Sequence, residues 1–458
     1  MNRPNRSDKK SGSPKEIPTV SQILSDGSIV ELLYRPKTRS TAFAVWRRGE
    51  WSLERQVDLA DGTRLVPFSP DNNLIKNEAV LLPSEPLDYG SEEQLFGEIQ
   101  AFLHRYVDLS TLFEQVAVHY VVLTWLYDAF SELPYLRLRG DFGTGKTRTL
   151  LTIGSVCYKP FFASGASTVS PIFHTLNAFG GTLIFDEADF RFTDERAEIV
   201  KILNNGNVRG LPVLRTIMNQ QKEFNPQAFQ VFGPKIVATR GRYDDKGLES
   251  RFLTEEMGGR RLRDDIPINM PDSFKEEARE LRNKLLLFRF HRRNKVKLDP
   301  ALFDPALEPR LNQILLPLLS VVSDVSVREQ LREIAHTAQR DLVAERGLLI
   351  ESQVLEVLVE LLTTERPTVP VADITTLIIE RHGAEYDRPI TNRWVGGILR
   401  KRLNLRTYKS HGVYVVPAAE RAKIELLAAR YGINLSVEIE QFPPDRTVQS
   451  GDVGTSGT

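Results

Sequence analysis

From about Val20 to Pro86 apolar and polar positions alternate in short runs, SIVELLY, TAFAVW and TRLVPF, broken at Asp26-Gly27 and Asp61-Gly62. Period-two alternation between turn dipeptides predicts half-buried strands, so residues 17–88 read as a small β-rich domain. The period changes at Ser91. SEEQ there has the form of a capping box, and Leu95, Ile99, Phe102, Leu103 and Tyr106 recur three or four apart, which predicts helices running to Phe130. From Tyr135 to about Met257 continuous apolar runs alternate with helical stretches, the pattern of a parallel sheet covered by helices. Together with the leading helices this makes residues 89–270 one α/β core. Residues 271–363 are helical in pattern and read as a lid or linker. Within residues 364–440, two helical stretches precede an apolar run broken at Ser410-His411-Gly412, and the helix AERAKIELLAARYG trails them. Segments 1–16 and 441–458 are polar and rich in small residues, too poor in apolar surface to order themselves.

A chain of 458 residues is too long for one core, which agrees with several domains. Sixty basic and sixty acidic side chains cancel, so any nucleic-acid contact has to be local rather than global. The single cysteine, Cys157, excludes an internal disulfide, and no signal-peptide pattern opens the chain, so a cytoplasmic setting is expected. The most apolar stretch, Val116 to Phe130, is too short to span a bilayer and contains His119 and Asp128. No membrane association is expected.

The chemistry concentrates in LRLRGDFGTGKT. Gly140, Gly145, Lys146 and Thr147 fit the phosphate-loop spacing, with Asp141, Phe142, Gly143 and Thr144 between them. Glycines let main-chain N–H groups turn toward phosphate oxygens, and the following helix adds the positive end of its dipole. Lys146 would reach the β and γ phosphates of ATP, and Thr147 would offer its hydroxyl to Mg2+. The apolar run of TLIFDEAD ends in Asp186 and Glu187. There Asp186 would hold the metal and Glu187 would orient or deprotonate the attacking water. A third buried run, KIVATR, ends in Thr239, a candidate γ-phosphate sensor, with Arg240 as second choice. In GLESRFLTEEM, Arg251 is either a solvated charge or an arginine reaching a neighbouring subunit's nucleotide.

Taken together, GDFGTGKT, the second strand in KPFFAS, LIFDEAD, KIVATR and LESRF resemble the motifs of AAA+ ATPases over roughly residues 90 to 330. The letters DEAD also occur in DEAD-box helicases, whose other motifs are not found. VKILNNGNVRGLPVLRT followed by FNPQAFQVFGPKIVATRG is similar to ATPase modules of phage, plasmid and cassette-borne replication proteins, related to superfamily 3 and minichromosome-maintenance-like helicases. That resemblance implies a hexameric ring and a hairpin before KIVATR that touches DNA, with Arg209, Arg215 and Lys222 as its phosphate contacts. It also implies a nucleotide-binding sensor-2 arginine in the lid, for which Arg310 is the candidate and Arg279 and Arg282 compete. Primase motifs are not recognisable.

The helix pair and hairpin of residues 368–417 have the layout of a winged helix, whose second helix lies in the DNA major groove. Thr391 would cap that helix, and Trp394, Ile398 and Leu399, at helical spacing, read as its core face in preference to groups that stack on bases. Arg393, Arg400, Lys401 and Arg402, with Lys409 and His411 on the wing, would face phosphates. The expected architecture is therefore α/β, an AAA+ P-loop core with a helical lid, a small N-terminal β domain and a C-terminal winged helix. Two functions follow: an oligomeric Mg-ATP-driven helicase or translocase on DNA, or an ATP-dependent initiator, regulator or clamp-loader-like switch that does not unwind. An intact Glu187 disfavours a non-hydrolysing scaffold.

Overall fold

A computed structural model describes residues 14–433 apart from 187, 189–193, 219–223, 244, 260, 348, 364–366, 384, 385, 387 and 388. The chain divides into two compact units, residues up to Ala338 and residues from Gln339. The first opens with β1 (Lys15–Thr19), β2 (Ser21–Ile23), β3 (Ile29–Arg35), β4 (Ser40–Arg47), β5 (Glu50–Glu54), β6 (Val57–Asp58) and β7 (Thr63–Pro67). β2 to β5 form an antiparallel meander, while β1 runs parallel to β7 in a second sheet with β6. Both predicted turns are made by an aspartate accepting from the backbone two residues on: Asp26 from Ser28 N at 2.9 Å and Asp61 from Thr63 N at 2.9 Å. Gly27 and Gly62 take φ of 83° and 82°. β3 is buried along its first five residues, and Val30, Leu32, Phe43 and Val45 join one apolar cluster with Phe173, Leu183 and Val237. The strands are therefore continuous with the α/β core behind them.

After α1 (Asn73–Lys76) come α2 (Glu92–Tyr106), which Ser91 caps by accepting from Gln94 N, and α3 (Thr111–Leu126), which Ser110 caps by accepting from Phe113 N. The core follows: β8 (Tyr135–Arg139), α4 (Lys146–Val156), β9 (Phe161–Ser164), α5 (Val169–Phe179), β10 (Leu183–Asp186), α6 (Asp194–Asn205), the hairpin β11 (Val213–Met218) and β12 (Phe224–Phe229), β13 (Lys235–Thr239), α7 (Lys246–Glu249) and β14 (Phe252–Glu256). Five strands make a parallel sheet in the order β14-β8-β13-β10-β9. Its strands are nearly continuous in burial, as a sheet covered on both faces requires. Because β13 lies between β8 and β10, the three segments that follow these strands emerge side by side at the carboxyl edge, where open α/β sheets hold ligands. α8 (Phe274–Arg292), α9 (Pro309–Ser320) and α10 (Val325–Gly347) continue the chain.

The compact division falls inside α10, not at the helix end near residue 363 that the sequence pattern suggests. The second unit contains α11 (Ile350–Thr363), β15 (Thr368–Pro370), α12 (Val371–His382), α13 (Asn392–Gly397) extended by a π-helical turn at Ile398–Arg402, β16 (Tyr408–Ser410), β17 (Val413–Pro417) and α14 (Arg421–Arg430). β15, β17 and β16 form an antiparallel sheet in that order. The buried positions Val395, Ile398, Leu399 and Leu403 face α11 and α12 in one apolar cluster. Trp394, expected in that core, is instead 39% exposed. It lies one residue before Val395, about 100° around the helix from the stripe that the core covers. No helix among the described residues is long and apolar enough to cross a membrane.

Candidate functional site

The loop between β8 and α4 is shaped by its glycines. Gly143 and Gly145 have φ of 72° and 84°, a region costly for other residues. A Cβ on Gly140 would lie 2.5 Å from the Met257 carbonyl oxygen. Gly140 N donates to Thr239 O at 3.1 Å, so the loop is tied at its root to the end of β13. Lys146 opens α4 and turns back over the loop, its Nζ donating to the carbonyls of Gly140 (2.7 Å) and Asp141 (2.6 Å). Thr144 Oγ1 donates to the same Asp141 carbonyl at 2.9 Å, and Phe142 N donates to Asp141 Oδ1 at 2.7 Å. The amino end of α4 has no side-chain cap, leaving first-turn amides of the kind that suit an anion.

Two strands away Asp186 ends β10, and Thr147 Oγ1 donates to its Oδ2 at 2.6 Å. A hydroxyl and a carboxylate from residues far apart in sequence thus converge at one point of the carboxyl edge. Between them β13 ends in Thr239, 1% exposed, whose Oγ1 has no hydrogen-bond partner among the described residues. A buried hydroxyl at this edge calls for a polar partner. The Arg240 guanidinium lies 3.5 Å from the ring centroid of Phe142, joining the strand end to the exposed loop tip. Glu187 lies outside the described residues. Main-chain amides in a glycine cradle, one ammonium, a hydroxyl paired with a carboxylate and an unpartnered buried hydroxyl together fit a polyphosphate carrying a divalent cation. No group of three or more His, Cys, Asp or Glu side chains arranged to hold a metal unaided occurs among the described residues.

Arg251 is placed elsewhere. Its carbonyl accepts from Tyr135 N at 2.9 Å, which fixes it at the amino end of β8. Five residues of strand, about 16 Å, separate that end from the loop. The Arg251 guanidinium donates to Asn204 Oδ1 and is half-buried. Burial lowers its pKa, and the positive charge of Arg310 lowers it further. Asn204 in turn donates to Asp245 Oδ2 at 2.9 Å, and Asp245 caps α7. Arg310 was expected at the nucleotide, but the start of α9 sets it beside α7, where a Cβ on Gly247 would lie 3.5 Å from its Nη1. It therefore shares the amino edge with Arg251 and is not brought to its own chain's loop. The competitors have other partners: Arg279 pairs with Glu276, and the buried Arg282 donates to Ser155 O at 2.5 Å, at the far end of α4.

The hairpin β11–β12 stands before β13 as the sequence suggests, with register from Val213↔Phe229 to Met218↔Phe224. Its expected phosphate contacts divide. Arg209 precedes the hairpin and is held at its base, donating to the carbonyls of Asp128 (2.9 Å) and Phe130 (3.1 Å) and lying over the ring of Phe232. Arg215 pairs with Glu198 and lies 4.1 Å above the Phe173 ring. Lys222 lies outside the described residues. What the hairpin does present was not anticipated: Leu214 and Phe224 are 69% and 76% exposed. Alternation would have found Leu214, since Val213 takes the inward face.

In the second unit, Thr391 Oγ1 accepts from Trp394 N at 3.3 Å, so Thr391 caps α13. Arg393, Arg400, Lys401, Arg402, Lys409 and His411 are all exposed. Arg402 is paired with Glu351 at 3.0 Å, and Arg400 donates to Thr407 Oγ1 at 3.2 Å.

No protein-family model matches the sequence, and no curated protein matches it. Among solved structures the chain is similar to the C-terminal region of NrS-1 (11% identity, 85% of this chain and 96% of that one, TM-score 0.37). It is also similar to the active helicase Cch of SCCmec type IV (10% identity, 90% and 80%, TM-score 0.40). A third is JCV helicase (14% identity, 54% and 60%, TM-score 0.23). Likeness at this level assigns no activity; the chain's own geometry has to do so.

Proposed function

We propose that the protein is an AAA+ ATPase that hydrolyses Mg-ATP and uses the energy to move on or unwind DNA as an oligomer. The observation that carries this reading is the 2.6 Å contact of Thr147 with Asp186 beneath the Lys146 loop, at the carboxyl edge of a parallel sheet. In it the amides of Gly140 to Thr147 bind the phosphates, and Lys146 exchanges its two carbonyl acceptors for phosphate oxygens. Thr147 and Asp186 hold Mg2+, Glu187 activates water, and Thr239 donates its unpartnered hydroxyl to the terminal phosphate. When bound, Mg2+ neutralises charge on the phosphates and fixes their geometry. Because Arg251 and Arg310 lie on the opposite edge, they can serve only a neighbouring copy's nucleotide, which makes activity depend on assembly.

The second unit's order, helix, strand, two helices and two strands, supports a winged helix with α13 as its DNA-contacting helix. From Pro389 to Pro417 the chain has six lysines and arginines and no acid, in a protein whose sixty basic and sixty acidic side chains cancel over the whole sequence. A local polyanion site is what that distribution supports. The test is strand displacement on a forked duplex alongside DNA-stimulated ATP hydrolysis. Both are expected, and both should be lost in Lys146→Ala. DNA-stimulated hydrolysis without displacement would instead favour the switch-like initiator. Hydrolysis that DNA does not alter would sink both.

A further inference from the structure

In the second unit the acid-free segment carries, besides its cations, three exposed aromatic rings: Trp394 at 39%, Tyr408 at 47% and Tyr414 at 53%. Two of these are held in fixed settings. Trp394 stands in the first turn of α13 with Tyr386 edge-on to it at 5.6 Å, which orients the indole while leaving it open to solvent. Tyr414 lies across the β16–β17 pair from Lys409, so both side chains leave the same face of the sheet. The Arg400 guanidinium sits 5.6 Å from the Tyr414 ring centroid, bridging the helix to the hairpin. On α13, Arg393, Trp394 and Gly397 fall on one side by their spacing of three and four, and Arg400 and the exposed Lys401 follow on the π-helical turn. Gly397 has nothing within 4 Å of where a Cβ would stand, so a bulky ligand can approach the backbone there.

The cations alone would suit the phosphates of any duplex. The rings add something a closed duplex interior cannot use, because its bases are already stacked on one another. Unpaired bases along a single strand expose π faces, and aromatic side chains stack on them with little regard to sequence. We propose that this face of the second unit engages the junction where duplex DNA opens into single strands, its cations on phosphates and Trp394 and Tyr414 stacked on unpaired bases. The inference rests on the reading of this unit as a DNA-binding one and names the substrate form it takes.

The experiment uses the full-length protein and fluorescence anisotropy with three labelled probes: a forked duplex with single-stranded arms, the same duplex blunt-ended, and one arm alone. Trp394→Ala and Tyr414→Ala are each expected to weaken fork binding about 5- to 150-fold. Both should leave blunt-duplex binding within about twofold. Trp394→Phe keeps a ring and should retain most of the fork affinity. Equal losses on fork and blunt duplex, or none on the fork, would overturn the stacking assignment. Tyr414 is exposed on a hairpin, so its variant stays informative should loss of the indole disturb folding. The underlying DNA-binding reading fails separately: if Arg400→Ala with Lys401→Ala leaves binding of all three probes and its salt dependence unchanged, the second unit is not a DNA contact.

Discussion

Asp128 to Asn is the most informative single-atom change in the first unit. Asp128 lies just after α3 and receives Arg289 through Nη1 at 2.9 Å and Nη2 at 2.7 Å, and Arg293 Nε at 2.6 Å. Arg289 is fully buried and also donates to Glu31 Oε1 at 2.8 Å and to Trp125 O at 2.6 Å. One guanidinium thereby joins the N-terminal strands, the end of α3 and α8. Burial alone would raise the Asp128 pKa, but the charges and hydrogen bonds of Arg289 and Arg293 overcome it and hold the carboxyl at about 2, against an ordinary 3.8. That difference of nearly two pH units is worth about 2 kcal/mol of stability once the group is ionised. Asparagine keeps the shape but points an amide donor at guanidinium donors. Stripping one partner from a buried ion pair costs about 3–5 kcal/mol; since Glu31 still serves Arg289, the expected loss is about 3 kcal/mol.

Urea unfolding followed by tryptophan emission measures this. Trp46, Trp51 and Trp125 lie in the first unit and Trp394 in the second. A Trp394→Phe background therefore reports the first unit alone. The variant's midpoint should fall while the slope is kept. The pH dependence has a fixed sign. A carboxyl whose folded pKa is depressed contributes above its ordinary value and loses that contribution as pH falls through the folded one. The gap between parent and variant should accordingly close between about pH 4 and pH 2. A loss below about 1 kcal/mol at pH 7, or a gap that persists undiminished into acid, would refute the network as the junction's main electrostatic tie.

Other consequences are equally concrete. A Cβ on Gly206 would stand 2.3 Å from Lys235 Nζ and 2.6 Å from Val231 O, so Gly206→Ala should cost about 1–3 kcal/mol on the same assay. Lys235 is buried and donates to the carbonyls of Gly206, Val231 and Gly233, and burial lowers its pKa to about 7 from 10.5. A buried lysine with a depressed pKa penalises the fold fully below the folded value, so stability should rise with pH from about 7 towards 10 in proportion to this group. Lys235→Met should flatten that rise, which thermal melts across the range would show. Subunits carrying Arg251→Ala mixed with subunits carrying Lys146→Ala should regain some ATP hydrolysis, since each supplies what the other lacks. An absence of rescue at every ratio would contradict the opposite-edge placement of Arg251 as a trans-acting group.

Much of the candidate site was legible because its signals are local. The loop and Asp186 stand at the ends of apolar runs, and a parallel sheet brings such ends to one edge whatever the details of packing. Arg310 was not legible, because its position depends on where α9 begins against α7. Arg209 reads as a free cation in sequence, yet is consumed by the carbonyls of Asp128 and Phe130, about eighty residues earlier. Trp394 was misplaced because a helical repeat gives spacing but not which face the neighbours cover. The separateness of the N-terminal strands was overestimated for the same reason: Glu31 and Arg289 are 258 positions apart, and only the fold makes them partners.

The proposed function requires the loop and the end of β10 to form one site for a metal-bound triphosphate. Equilibrium binding of a fluorescent ATP analogue, with and without Mg2+, tests it in the parent, Thr147→Ala and Asp186→Asn. Mg2+ should tighten binding to the parent, neither variant should show this gain, and both should retain the metal-free affinity. An undiminished Mg2+ effect in both variants, or a parent with no affinity for the nucleotide, would contradict it.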